Sequence, residues 1–314
     1  MEYGGYLFVH FTGEHKDGEQ IYFSVSKDGL HWNDLNDGKL VLKSEIGEKG
    51  VRDPFIIRSP WQENKYWIIA TDLRIEAGKG WGVAQYEGGR DIIVWESENL
   101  VDWTGPVSYT IGVPGAGCVW APEAVYDKNK DAIMLFWASM TSDDMKETSD
   151  KSSYKQKIYR SYTKDFKAFT ETELYTEAVN HLIDTTIIAT DEGYYRYTKN
   201  ESNKRVNAEF GKTLENSSFK RIESETLENI VGVEGPEIFK FNDRDEYCLI
   251  LDRFAEGKGY MPLVTSDLAS GEFKVLNDSE FDMGKNKKRH GGVMPITEAE
   301  YNMLLERYDF LQAT

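Results

Sequence analysis

Three carboxylic acids stand at or near the start of short apolar segments that lie far apart in the sequence. They are Asp53 in VRDPFII, Asp184 in LIDTTII and Glu234 in VEGPEIF. Hydrolysis of a glycosidic bond needs two convergent carboxyl groups, one as general acid and one as general base. Asp184 lies inside an apolar run, where a carboxyl without a partner is costly to bury. Asp53 and Glu234, each taken alone, could belong to ordinary turns, but the three acids together indicate an acid–base site.

These segments belong to a series of five that is typical of a repeated fold. WAPEAVY (120–126) and HGGVMPI (290–296) complete the series, and the gaps of roughly 50–70 residues match one four-stranded propeller blade. A second motif alternates with the first: Ser or Thr, then an acidic or Asn turn, then an aromatic residue. It occurs at 26–32, 97–103, 163–169 and 265–273, with a weaker copy at 214–222. The sequence therefore predicts an all-β fold, a five-bladed β-propeller.

The first and last repeats are incomplete. Residues 6–36 supply three predicted strands without an inner strand, and residues 290–296 supply an inner strand followed only by a predicted helix at 297–310. We expect the C-terminal strand to close the N-terminal blade, since closure removes a free sheet edge. Residues 1–314 are thus predicted to form one catalytic domain. The polar stretch 141–155 is predicted to be a surface loop, with a lid over the site as the alternative.

Charge and composition exclude several classes of protein. The chain has 314 residues, 54 acidic and 37 basic, and a net charge of −17, which disfavours nucleic acid as a partner. Its two cysteines indicate neither a disulfide framework nor a CxxC metal site. No apolar window is long enough for a membrane span, and no signal-peptide pattern is visible. Provided that no leader precedes Met1, we expect a cytoplasmic protein that does not bind membranes.

The order RDP, WAPE, IDTTI, EGPEI and HGG resembles glycoside hydrolase family 43, the five-bladed propeller enzymes, over essentially the whole chain. The resemblance implies that Asp53 is the general base, Asp184 modulates the pKa of the acid, and Glu234 is the general acid. It also implies inversion of configuration, which agrees with Asp53 and Glu234 standing on non-adjacent blades. The chain departs from the family in the partial blade of about 50 residues before Asp53, and in the Thr residues that follow Asp184.

Two local expectations concern the charges of the site. A third carboxylate close to the acid would raise the acid's pKa by like-charge repulsion, which would keep Glu234 protonated near neutral pH. Arg52 precedes Asp53 on a strand, so its side chain should point the opposite way.

Four further residues are candidates, each with an alternative interpretation. Trp120 resembles the family's aromatic wall beside the sugar, or is a core residue between blades. Glu123 could bind a sugar hydroxyl or replace Glu234 as the acid, although the EGP motif favours Glu234. Arg253 is implied to contact the acid or a sugar hydroxyl; the alternative is a surface ion pair. His290 is implied to face the channel near water or calcium, but the sequence shows no oxygen-ligand cluster with metal spacing.

The sequence thus predicts an exo-acting glycoside hydrolase that releases α-L-arabinofuranosyl residues from small arabinoxylan- or arabinan-derived oligosaccharides. The alternatives are a β-xylosidase on xylo-oligosaccharides and a non-catalytic carbohydrate-binding propeller. We expect the chemistry to need no cofactor, with a structural calcium ion in the central channel as an open alternative. The furanose preference depends on the resemblance, because rim loops decide which sugar fits.

Overall fold

The computed structural model describes residues 2–143 and 151–308. Within these residues, five four-stranded antiparallel sheets are formed. Their inner strands contact one another in a closed ring around a central channel. The prediction of an all-β, five-bladed propeller is therefore confirmed. None of the helices in the described residues is long and apolar enough to cross a membrane.

The strands follow the chain blade by blade, apart from the closing blade, which we call blade 5. The N-terminal strands of blade 5 are β1 (Gly5–His10), β2 (Tyr22–Ser26) and β3 (Trp32–Asp34). Blade 1 contains β4 (Val51–Arg58), β5 (Tyr66–Asp72), β6 (Asp91–Ser97) and β7 (Trp103–Thr110). Blade 2 contains β8 (Trp120–Asp127), β9 (Ala132–Thr141), β10 (Lys155–Thr163) and β11 (Glu173–Thr176).

The second half of the chain repeats this order. Blade 3 contains β12 (Leu182–Ala189), β13 (Tyr194–Asn200), β14 (Arg205–Gly211) and β15 (Lys220–Ile222). Blade 4 contains β16 (Glu234–Lys240), β17 (Tyr247–Asp252), β18 (Tyr260–Thr265) and β19 (Lys274–Val275). The inner strand of blade 5 is β20 (Gly291–Ile296). The α-helices of the described residues are α1 (Trp81–Tyr86), α2 (Glu225–Asn229) and α3 (Glu298–Tyr308).

The C-terminal strand closes the ring as predicted. β20 pairs antiparallel with β1, with Gly5 opposite Ile296. The predicted capping box starts α3, because the Thr297 hydroxyl accepts from the Glu300 N–H at 3.3 Å and the Glu300 carboxylate accepts from the Thr297 N–H at 2.7 Å. Residues 309–310 of the predicted helix and 144–150 of the predicted loop lie outside the described residues.

The repeated turn motif links the third strand of a blade to its fourth. In blade 1, the Ser97 hydroxyl accepts a hydrogen bond from the Leu100 N–H at 3.0 Å. The aromatic residue that follows, Trp103, packs edge-on against Phe23 of blade 5 with ring centroids 6.0 Å apart. The motif therefore bends the chain and supplies apolar contacts between neighbouring blades, as expected.

A β-bulge interrupts the inner strand of each of blades 1 to 4 at an equivalent position. The first residue of each bulge has a positive φ, and these residues are Asp53 (50°), Ala121 (49°), Asp184 (48°) and Gly235 (51°). Such a backbone costs a non-glycine residue of order 1–3 kcal/mol and is concentrated at functional sites. At Gly235 only glycine fits, because a Cβ atom would lie 2.7 Å from the His290 ring.

Candidate active site

A cavity of about 440 Å³ opens at the ends of the channel-lining strands where the bulges lie. Asp53, Asp184 and Glu234 all line this cavity, together with Trp120 and His290. The structure thus brings together five of the seven residues that the sequence singled out, while Glu123 and Arg253 lie elsewhere. Asp53 and Asp184 occupy equivalent positions in their blades, at the start of the bulge. Glu234 lies one residue before the bulge of its strand, at the position equivalent to that of Trp120 in blade 2.

Asp53 is held in place by the neighbouring strand. The Thr71 hydroxyl donates to Asp53 Oδ2 at 3.0 Å and accepts from the Ala121 N–H of blade 2 at 2.8 Å. Thr71 lies on β5 opposite the residue before the bulge. The carboxylate of Asp53 is therefore oriented by a hydroxyl that also connects two blades.

Asp184 is buried and contacts the strand that carries Glu234. Its Oδ2 accepts a hydrogen bond from the Gly235 N–H at 3.1 Å, across the interface between blades 3 and 4. Burial raises its pKa to about 6, and the charges of Glu234 and Asp53 act in the same direction against those of His290 and Lys199. Asp184 can thus fix the position of Glu234 through the backbone of the next residue.

Glu234 is clamped between two cations, one on each carboxylate oxygen. Lys199 Nζ lies 2.8 Å from Oε2, and an Arg289 guanidinium nitrogen lies 2.7 Å from Oε1. Burial alone would raise the pKa of Glu234, but these two charges outweigh it and lower the pKa to about 2. The expectation that like-charge repulsion keeps Glu234 protonated is therefore wrong for the ligand-free protein, because two cations stand closer than any carboxylate considered in that argument.

Sequence reasoning missed both clamping residues and their supports. Lys199 also binds Glu201 at 2.6 Å, and Arg289 donates to Asp252 Oδ2 at 2.6 Å. Lys199 and Asp252 lie on the second strands of blades 3 and 4, opposite the residue before the bulge, as Thr71 does in blade 1. That register position on the second strand of each blade is the signal that could have found them.

His290 stands at the bottom of the cavity among three carboxylates. Its Nδ1 lies 3.6 Å from Asp53 and 3.8 Å from Asp184, and its Nε2 lies 3.6 Å from Glu123. Burial alone would lower the pKa of His290, but the facing carboxylates of Asp184, Glu123 and Asp53 raise it to about 10.

The described residues do not fit a calcium site at His290. No group of three or more His, Cys, Asp or Glu in residues 2–143 and 151–308 is arranged to hold a metal ion. Calcium takes six to eight oxygen ligands, whereas the carboxylates of Asp53, Asp184 and Glu123 are each directed at the ring of His290, at 3.6–3.8 Å. We assign His290 instead to balancing the charge of the carboxylates around it.

Glu123 lies beneath the cavity rather than in it. Its side chain is 4% exposed and packs against His290. Burial raises its pKa to about 7 against the lowering influence of His290. Glu123 is not among the residues that line the cavity, so its placement does not support the predicted contact with a sugar hydroxyl, which stays a prediction.

Arg253 points away from Glu234. Its guanidinium donates to the Gly259 carbonyl at 3.3 Å and to Asp278 at 3.1 Å. These contacts correspond to the second interpretation of Arg253, a surface ion pair. The predicted contact with the acid is therefore wrong. Arg289, two residues before β20, occupies that place instead.

Arg52 lines the same cavity as Asp53, contrary to the expectation from strand alternation. The bulge after Arg52 breaks the alternation, because Asp53 has a positive φ. Arg52 pairs with Glu14 at 2.7 Å and with Glu19 at 2.9 Å, so its charge is neutralised within the wall.

Two indole rings form the aromatic side of the cavity. Trp120 lines it and meets Trp81 of α1 nearly perpendicularly, with ring centroids 6.0 Å apart. Trp81 is 49% exposed, although it also lines the cavity. Apolar faces of sugar rings can pack against such rings, but Trp120 also packs against the apolar core, so both interpretations of this residue stay open.

Comparison with known proteins gives the family. The family described as "Probable glycosyl hydrolase domain", related to glycoside hydrolase family 43, matches residues 1–302. An α-L-arabinofuranosidase of Bifidobacterium longum is 32% identical over 295 residues, which covers 80% of this chain and 27% of that protein. The chain thus spans about a quarter of the length of that relative.

Solved structures share the fold. The catalytic domain of a GH62 α-L-arabinofuranosidase from Coprinopsis cinerea gives a TM-score of 0.53 at 12% identity, covering 79% of this chain and 74% of that one. An exo-β-1,3-galactanase from Clostridium thermocellum gives a TM-score of 0.50 at 13% identity, covering 73% of this chain and 49% of that one. The chain belongs to the family described as a probable glycosyl hydrolase domain, which is related to glycoside hydrolase family 43.

Removal of calcium should leave the protein unchanged, because the residues around His290 do not fit that ion. We expect the melting temperature and the initial hydrolysis rate to be the same in excess EDTA as in millimolar calcium. A ligand that binds only the folded state raises the melting temperature. A melting temperature that falls by several degrees in EDTA and recovers with calcium would contradict the assignment of His290.

Proposed function

We propose that this chain hydrolyses terminal α-L-arabinofuranosyl linkages in small arabinoxylan- or arabinan-derived oligosaccharides, with inversion of configuration. The observation that carries the proposal is the convergence of Asp53, Asp184 and Glu234 on one cavity with an indole wall. The choice of sugar is supported by the arabinofuranosidase of Bifidobacterium longum, which is 32% identical. Two carboxyl groups suffice for this reaction, so we propose that it uses no cofactor.

The three acids are proposed to act as base, positioning residue and acid. Asp53 would accept a proton from the attacking water, oriented by the Thr71 hydroxyl at 3.0 Å. Glu234 would protonate the leaving oxygen, and Asp184 would hold the Glu234 strand through the Gly235 N–H. Placement of the acid and base on blades 4 and 1, which are not adjacent, supports inversion, since a water must fit between them.

The clamp on Glu234 must relax before the acid can act. In the free protein, Lys199 and Arg289 hold the carboxylate ionised, whereas a general acid must carry its proton when the bond breaks. A sugar hydroxyl that accepts a hydrogen bond from either cation would weaken its contact with Glu234. We therefore propose that substrate binding raises the pKa of Glu234 and so couples recognition to protonation.

Loss of one cation of the clamp should change the pH dependence of the enzyme. Lys199→Met removes a charge that favours ionised Glu234, so the pKa of Glu234 should rise by about one to three units. The acid then keeps its proton to higher pH, and the high-pH limb of the kcat/KM profile should move upward. Lys204→Met is the matched control, since Lys204 pairs with Glu201 but not with Glu234. Coincident profiles for the wild type and Lys199→Met would rule out the proposed coupling.

Substitution of the proposed acid should affect one class of substrate, whereas substitution of the proposed base should affect both. Glu234→Gln should reduce hydrolysis of an arabinofuranosyl oligosaccharide by about 10²–10⁴-fold, but hydrolysis of a dinitrophenyl arabinofuranoside far less, because that leaving group needs no proton. Asp53→Asn should slow both substrates alike. Glu215→Gln, a change at a glutamate on the outer part of blade 3, serves as the control for folding. If Glu234→Gln lowers both rates equally, Glu234 is not the acid.

The products should identify both the sugar and the stereochemistry. On a panel of nitrophenyl pentosides and galactosides, we expect α-L-arabinofuranoside to be cleaved fastest. Proton NMR during the first turnovers should show the β-anomer of arabinose before mutarotation. Preferential release of xylose would favour a β-xylosidase, and initial appearance of the α-anomer would contradict inversion.

A further inference from the structure

A second cavity, of about 410 Å³, lies beside the active site and has a different lining. Five asparagines, two arginines and one glutamate line it, and none of its lining residues is aromatic. We call it the asparagine pocket. The residues on which the argument depends are Asn200, Asn203, Arg205, Arg221 and Glu228.

The asparagine pocket and the active site are separated by a single hairpin. The turn between β13 and β14 begins after Asn200, which lies opposite Leu182 at the start of β12, two residues before Asp184. Lys199 and Glu201 of this hairpin line the active-site cavity, whereas Asn200 and Asn203 line the asparagine pocket. Both cavities therefore open on the same side of the propeller, where one oligosaccharide could reach both.

Arg205 is the unusual residue of this pocket. Its Nε is buried and has no hydrogen-bond partner among the described residues, and no carboxylate of residues 2–143 and 151–308 lies within ion-pair distance of it. By contrast, Arg221 on the same pocket pairs with Glu228 at 2.7 Å. Buried polar groups in folded proteins are nearly always hydrogen-bonded. An unneutralised guanidinium in a chain of net charge −17 therefore points to an anionic ligand.

The amides around Arg205 are arranged as donors. The side-chain oxygen of Asn203 accepts from the backbone N–H of Arg205 at 3.1 Å, and that of Asn200 accepts from the backbone N–H of Ser202 at 3.0 Å. Their oxygens are thus occupied, and their NH₂ groups remain to donate. A guanidinium fork matches the geometry of a carboxylate, and amides suit hydroxyl groups. Without an aromatic platform, the ligand would be held by hydrogen bonds and charge rather than by stacking.

We propose that the asparagine pocket is a second saccharide-binding site that takes a uronic acid unit, with the sugar carboxylate on Arg205. That the ligand is a saccharide rests on the proposed function, whereas the preference for a carboxylate rests on Arg205 and the amide donors alone. The pocket would thus select oligosaccharides with acidic branches, while the active site acts on a neutral sugar.

The test is binding of methyl β-D-glucuronide to the full chain, measured by calorimetry and by the ¹⁵N resonance of the Arg205 Nε. Methyl β-D-glucoside is the neutral control ligand. We expect the glucuronide alone to bind, and Arg205→Met to weaken it by about tenfold or more, as loss of a charged hydrogen-bonded pair implies. Arg221→Met is the matched control, because Arg221 already has a carboxylate partner.

The results separate this inference from the proposed function. Hydrolysis of nitrophenyl arabinofuranoside should be the same in Arg205→Met as in the wild type, since Arg205 does not line the active-site cavity. Glucuronide binding that is unaffected by Arg205→Met, or equalled by the glucoside, overturns the inference and leaves the hydrolase proposal intact. Glucuronide binding without arabinofuranoside hydrolysis would support the pocket and refute only the proposed reaction.

Discussion

The site depends on one backbone feature, the left-handed residue that starts the bulge of an inner strand. At this residue the side chains of the strand no longer alternate between opposite faces, so two consecutive side chains, Arg52 and Asp53, face the same cavity. The same feature directs the Gly235 N–H at Asp184 instead of into the ladder of its own blade. The strain of the two aspartates, of order 1–3 kcal/mol each, persists because neighbouring blades hold them on both sides.

A second constraint is charge. Asp53, Asp184, Glu123 and Glu234 meet within one channel, and like charges in a buried space cannot all remain ionised without partners. Positive and negative groups therefore alternate in the channel: His290 lies between three carboxylates, and two cations flank Glu234. The burial that raises the pKa of Asp184 acts on Glu234 too, so the opposite outcome at Glu234 is due to its cations.

The sequence predicts the fold well because the propeller repeats its signals. Each inner segment and each turn motif is a local pattern, and five copies reinforce one another, down to the closing strand β20. The carboxylates followed from the same repeats. The partners of these acids did not, because a residue such as Lys199 is 35 positions from Glu234 and is brought to it by strand register. Arg289 was missed for the same reason, since it reaches Glu234 from a different blade, whereas Arg253 donates to Asp278.

The two cavities differ in how their cations are used. In the active site every cation has a carboxylate partner: Arg52 with Glu14, Lys199 with Glu201, and Arg289 with Asp252. A site whose cations are all paired in this way has none left to attract an anionic ligand, and it suits a neutral sugar that is recognised by hydrogen bonds and ring faces. Across the hairpin, Arg205 lacks such a partner among the described residues. An acidic branch bound at Arg205 would therefore lie beside the active-site cavity and would leave the ionisation of Asp53, Asp184 and Glu234 undisturbed.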